Sequence, residues 1–265
     1  MVQETRFMHY VSKGSRFNQI YIPKEFEEGF DVGDKVEVRL IEKSRKLYYS
    51  KNIERLSKFK EEIIKEIFKA VEKFSVSQVF VFGSFLTKKL DYNDIDILVI
   101  ADKRDKKLEG VIFNELSENI NFKFHVLLID SKRFSDLLEI CPLTRSMMHY
   151  YVSNKGFEWL SRIRVDRDHL RFLMMMPEDL LRIRVESRIY YDSLRRLGSI
   201  EMFLKGREID PLKIDEGVRK LVGESIYDLI NKNGVLSKDL ERKLRKLIKS
   251  SLLYIQRILK DGEKR

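Results

Sequence analysis

Cysteine is almost missing from this chain. Cys141 stands alone, so no intrachain disulfide can form and no cysteine cluster can hold zinc. It reads as a small apolar residue of a core. Histidine is sparse as well, with His9, His125, His149 and His169 scattered and never paired at metal-ligand spacing, which speaks against a zinc enzyme. No apolar run approaches the roughly 20 residues that span a bilayer. The opening MVQETRFMHY lacks the apolar stretch of a secretory signal, so a cytoplasmic protein with no membrane partner is expected.

What is present is a chain of 265 residues, 43% hydrophobic, with room for one large or two to three small domains and for real cores. A net charge of +10 favours polyanionic partners such as nucleotides, tRNA or DNA. Abundant Lys, Arg and Glu with little Gln also resembles the composition of a thermophile's protein, which weakens that charge argument.

The densest chemistry lies between residues 79 and 100. Val79 to Phe82 is an apolar, β-prone run, and Gly83-Ser84 follows as a turn at which backbone amides and a hydroxyl can approach an anionic group. Asp94 to Ile100 then reads as a second strand, with Asp94 and Asp96 on one face and Ile95, Ile97 and Val99 on the other. Two carboxylates about 6–7 Å apart on one strand repel. A hard divalent cation that also takes substrate phosphates relieves them, and magnesium is the natural candidate.

The stretch VFGSFLTKKLDYNDIDILVI resembles the DNA polymerase β-like nucleotidyltransferase superfamily, whose pattern is a strand, Gly-Ser, a short helical turn and Asp-hydrophobic-Asp on the next strand. That resemblance implies a nucleoside triphosphate partner, with Gly83 and Ser84 at its β- and γ-phosphates and Asp94 and Asp96 holding Mg2+. It implies attack of a hydroxyl on the α-phosphate with loss of pyrophosphate. Lys88, with Lys89, is a candidate for added charge beside the nucleotide. The family usually carries a third carboxylate on the strand after the connecting helix, and here the chain departs from it. Along Phe122 to Ile129 there is no acid until Asp130; His125 takes the expected place, with Lys123 on the same face. A neutral histidine can accept a proton near pH 7, so His125 is the candidate third catalytic residue beside Asp94 and Asp96. It brings no negative charge, and a lost charge pair at 4 Å is worth about 4 kcal/mol at an effective dielectric of 20.

Before this region, the run I-x-I-P-K-E-F followed by V-G-D-K-V-E-V resembles the SpoVT/AbrB-type swapped-hairpin domain. The resemblance covers about residues 7–51 and implies a homodimer and DNA contact, with Lys13, Arg16 and Lys24 as the basic candidates. Gly33-Asp34 suits a tight turn before an alternating strand, Lys35 to Leu40. Leu56, Phe59, Ile63, Ile67, Val71 and Phe74 mark an amphipathic helix over about 54–74. Further elements are expected as a helix near 107–119, a strand over 122–129, a helix over 131–151 interrupted at Pro142, and a short strand over 156–160. Arg145 is a candidate phosphate contact. Beyond 166 the chain reads as all helix, over 179–197, 214–230 and 240–260; the last has a basic outer face that offers itself to RNA or DNA.

The expected architecture is α+β in three parts: a β-rich domain over 1–52, a nucleotidyltransferase domain with a mixed sheet over 53–163, and a helical bundle over 164–265. Two functions follow. One is a magnesium-dependent nucleotidyltransferase moving a nucleoside monophosphate to a hydroxyl acceptor. The other is a DNA-binding regulator or antitoxin-like protein whose nucleotidyltransferase domain binds nucleotide or partner without turnover.

Overall fold

The computed structural model describes residues 6–41, 45–87, 92, 94–102, 105–158 and 162–261, and the chain divides into two compact units, 1–44 and 45–265. In the first, β1 (Ser12–Lys13) pairs antiparallel with β2 (Asn18–Gln19), closed by a bond from Gly14 N to Phe17 O at 2.9 Å. Pro23 starts a 3-10 turn over Lys24–Gly29, and Phe7 packs on Phe26 and Phe30. The expected strand over Lys35 to Leu40 is not formed among the described residues. Alternation assigns faces, but a strand also needs a partner edge for its N–H and C=O groups.

The second unit is built on a five-stranded sheet in the order β3-β7-β4-β5-β6, from β3 (Tyr48–Tyr49), β4 (Gln78–Phe82), β5 (Ile95–Ala101), β6 (Phe124–Asp130) and β7 (Tyr151–Ser153). Among the described strands only β5 and β6 run parallel. Residues 45–52, read with the opening segment in the sequence, fall in this unit because β3 pairs with β7. The closing strand is 151–153 rather than 156–160: residues 156–158 are not strand, and 159–161 lie outside the described residues. It is interior to the sheet, since β3 covers its outer edge.

The strands are apolar on both sides because both faces of the sheet are covered. Val79, Val81, Ile95, Ile97, Val99, Phe124, Val126 and Leu128 pack under α1 (Lys58–Val71) and α2 (Lys106–Asn119). Phe80, Phe82, Leu98, Ile100 and Tyr151 pack under α3 (Ser131–Ile140) and its following turn, through Phe134, Leu138 and Met148. Asp130 caps α3, its carboxylate accepting from Arg133 N at 2.8 Å. Pro142 opens the short α4 (Pro142–Met147), and buried Cys141 between the two helices joins the core of the helical region, as its size suggests.

That region comprises α5 (Arg167–Asp179), α6 (Ser187–Leu204), α7 (Pro211–Val222), α8 (Glu224–Asn231) and α9 (Lys238–Asp261). The helix expected over 214–230 is split, and the one expected over 179–197 starts only at Ser187 and runs to Leu204. The chain leaves helix after Asp179, where Arg245 of α9 donates to Leu181 O at 3.2 Å and Ile183 O at 2.7 Å and so satisfies carbonyls that have left the helical ladder. Arg245 is thereby drawn inward from the basic face. Gly223, at φ 87° and ψ 153°, separates α7 from α8 in a conformation that side chains disfavour.

Polar contacts tie the helical region to the sheet. Tyr150 OH donates to Asp210 Oδ1 at 3.3 Å, Lys51 lies 3.3 Å from Glu208, and buried His149 lies 3.8 Å from both Glu208 and Asp210. Asp210 also caps α7, accepting from Leu212 N at 2.9 Å.

Candidate nucleotide site

The register of the sheet sets the site. Tyr151, Phe82, Asp96 and His125 lie opposite one another on successive strands and therefore form one row across one face. Asp94 falls just before β5, which begins at Ile95. Gly83 follows β4 directly and leads into a 3-10 turn over Ser84–Leu86.

Gly83 has φ 82° and ψ −159°, a conformation open to glycine almost alone. A Cβ there would meet Asp96 Oδ2 at 2.1 Å. The turn therefore touches the carboxylate directly, which only a residue without a side chain permits. Leu86 N donates to Gly83 O at 3.2 Å, and Thr87 donates to Ser84 O through both N, at 3.0 Å, and Oγ1, at 2.8 Å. These bonds shape the turn from inside.

His125 Nδ1 lies 3.1 Å from Asp96 Oδ1, so the structure joins the histidine and the aspartate that the sequence singles out. Asp96 is largely covered, its side chain 23% exposed, while His125 is 58% exposed. Burial pushes the Asp96 carboxyl above its ordinary value; the bond to His125 opposes this, and the charge of Asp94 adds to it. A desolvated carboxylate beside a second one is a place where a cation relieves strain. Two carboxylates are also what magnesium commonly takes from protein when phosphates and water supply the remaining ligands. Asp94 and Asp96 are the residues that could hold it. Among the described residues, no group of three or more His, Cys, Asp or Glu side chains is arranged to hold a metal ion by itself.

Asp130, the first acid after His125, sits at the far end of β6 opposite Ala101 and is occupied as a helix cap. Lys88 and Lys89 lie outside the described residues. Among the described contacts Arg145 does not meet the site: its guanidinium donates to Leu138 O at 2.7 Å and Arg162 O at 3.4 Å, joining backbone segments.

One residue that sequence reasoning missed stands behind the turn. Lys60 of α1 is 8% exposed, and its Nζ donates to Thr87 O at 2.8 Å. The ammonium lies 5.4 Å from the ring centre of Phe85 and 5.3 Å from that of Tyr92. Burial lowers its pKa. The helix expected over 54–74 had Phe59 inward; Phe59 is 60% exposed and Lys60 takes the inward place, one turn before Ile64. A lysine at i−4 to a core isoleucine was the available signal.

Comparison with curated proteins finds no match. Among solved structures, spectinomycin adenyltransferase AAD(9) from Enterococcus faecialis, crystallised with ATP and spectinomycin, is similar over 76% of this chain and 98% of that one, at 13% identity and a TM-score of 0.44. Residues 61–140, from α1 to the end of α3 and including Gly83, Ser84, Asp94, Asp96 and His125, match the family described as Polymerase beta, Nucleotidyltransferase.

Proposed function

We propose that this chain is a magnesium-dependent nucleotidyltransferase that moves a nucleoside monophosphate from a triphosphate to a hydroxyl acceptor. The observation that carries the reading is the contact of Gly83 with Asp96, inside the matched segment. A turn able to offer backbone amides to phosphate abuts a largely covered carboxylate whose ionisation burial opposes. In this reading Gly83 and Ser84 bind the β- and γ-phosphates. Asp94 and Asp96 hold magnesium, which when bound supplies positive charge to the phosphates and to the leaving pyrophosphate. His125 orients Asp96 through their hydrogen bond and, in its neutral form, can take the proton of the attacking hydroxyl.

The test is incubation with α-labelled nucleoside triphosphates, magnesium and a panel of hydroxyl acceptors, comparing the wild type with Asp94→Ala/Asp96→Ala. Label should pass to an acceptor with the wild type and fall at least 100-fold in the double variant, as for loss of a principal charge-stabilising group. Equal labelling by both proteins contradicts the reading. Saturable nucleotide binding with no transfer to any acceptor would instead support the binding-only alternative.

The first unit supports a further reading. Val36, Val38 and Leu40 alternate and are exposed, Val38 at 66%. An exposed alternating apolar segment of this kind, without a paired strand among the described residues, suits becoming a strand against a second copy. Light scattering should give a dimer for the full chain and a monomer once residues 1–44 are removed; a monomeric full chain contradicts this.

A further inference from the structure

We propose that Lys60 is a positioning residue that holds the Gly83–Ser84 turn in place against Asp96; the inference rests on the nucleotidyltransferase reading above. Lys60 stands on the inward stripe of α1 with Ile64, Ile67, Phe68 and Val71, where an apolar side chain would pack without the cost of desolvating a charge. A buried ammonium in that place needs partners, and the described ones, Thr87, Phe85 and Tyr92, belong to the connection between the two halves of the site. Its Nζ bonds Thr87 O, and Thr87 in turn donates twice to Ser84 O. Two bonded steps therefore lead from the ammonium to the phosphate-binding turn.

The same cation faces two rings on opposite sides of that connection. Phe85 directly follows Ser84, and Tyr92 precedes Asp94 by two residues; the rings meet edge to face at 4.9 Å. A cation within about 6 Å of a ring centre is attracted to its face. One side chain thus fastens the segment leaving the turn and the segment entering the aspartate pair. Gly83 has no slack against Asp96, so a shift of the turn displaces the phosphates relative to the carboxylates. A misplacement of about 1 Å can cost on the order of 100-fold in rate.

The experiment uses the full chain with ATP and magnesium, measuring Kd by titration calorimetry and Tm by thermal unfolding for the wild type, Lys60→Met, Tyr92→Leu and Ile64→Val. Lys60→Met should weaken ATP about tenfold, the usual effect of losing a hydrogen bond to a charged group. Ile64→Val, a packing change on the same stripe, should lower Tm by about 3 °C and leave Kd unchanged. Tyr92→Leu should weaken ATP about threefold, and it decides the question if Lys60→Met fails to fold. ATP binding that is equal in the wild type and in a folded Lys60→Met protein, or in Tyr92→Leu, overturns the role of Lys60 alone. So does a loss in Ile64→Val as large as in Lys60→Met, since a general loosening of α1 would then explain both. A wild type that binds no ATP overturns the nucleotide reading and this inference with it.

Discussion

Gly83 and Asp96 are the pair on which the local chemistry turns. Replacing Gly83 with alanine brings a methyl group onto Asp96 Oδ2 and forces a side-chain-bearing residue to φ 82°. Backbone strain of this kind costs about 1–3 kcal/mol. Thermal unfolding of Gly83→Ala should show a lower Tm, with nucleotide binding lost as Asp96 is pushed aside; a variant with wild-type Tm and wild-type binding contradicts the contact. Asp96→Asn has the opposite signature. It removes an ion that burial and Asp94 disfavour more than the His125 bond favours it, so the magnesium-free protein should gain stability while transfer is lost, the usual exchange of stability for function. Of this candidate site, the proximity of Gly83, Asp96 and His125 was legible in the sequence because their strand spacing is local. Lys60 was not, since its meaning depends on Thr87 and Tyr92, which the fold brings to it from 27 and 32 positions away.

Among the elements, β4, β5 and β6 were the easiest to read, because they are apolar runs, buried on both faces in β4 and in most of β5. The helices were read too long where apolar spacing continued through a break. Leu180, Leu181, Ile183 and Val185 keep a helical rhythm, yet the chain there is held open by Arg245, a residue more than 60 positions away that no local pattern reveals. Arg245 also bonds Glu241 at 2.6 Å and Tyr190 OH at 3.3 Å. Arg245→Ala leaves two backbone carbonyls and Glu241 without that partner, and should lower stability by about 2–3 kcal/mol in denaturant unfolding. A change under 0.5 kcal/mol would mean that water serves those carbonyls equally well. The alternating segment 35–40 failed for a related reason: alternation is a property of the strand, pairing a property of what lies beside it.

For the second unit as a whole, the joint between the sheet and the helical region carries a pH dependence. Burial holds the His149 imidazole below its ordinary pKa, opposed by Asp210 and Glu208 and assisted by Lys213 and Lys51; His169, half-buried on α5 near Asp166 and Arg133, is lowered in the same way. A histidine whose folded pKa is depressed binds fewer protons in the native state than in the unfolded one. The stabilising contribution is therefore full above the unfolded value of about 6.5 and declines as the pH falls from there toward the folded value. Tm should fall between pH 7.5 and 5.5, and His149→Gln should flatten that fall. A profile of the same steepness in the variant would remove His149 as a cause.

The measurement that bears most directly on the proposed nucleotide site is calorimetric titration of the full chain with ATP, with magnesium and with excess chelator, alongside Asp94→Ala/Asp96→Ala. Saturable binding near one nucleotide per chain is predicted, dependent on magnesium and lost in the double variant. Binding that ignores both the metal and the two aspartates, or no saturable binding by the wild type, would contradict a site built from Gly83 and Asp96.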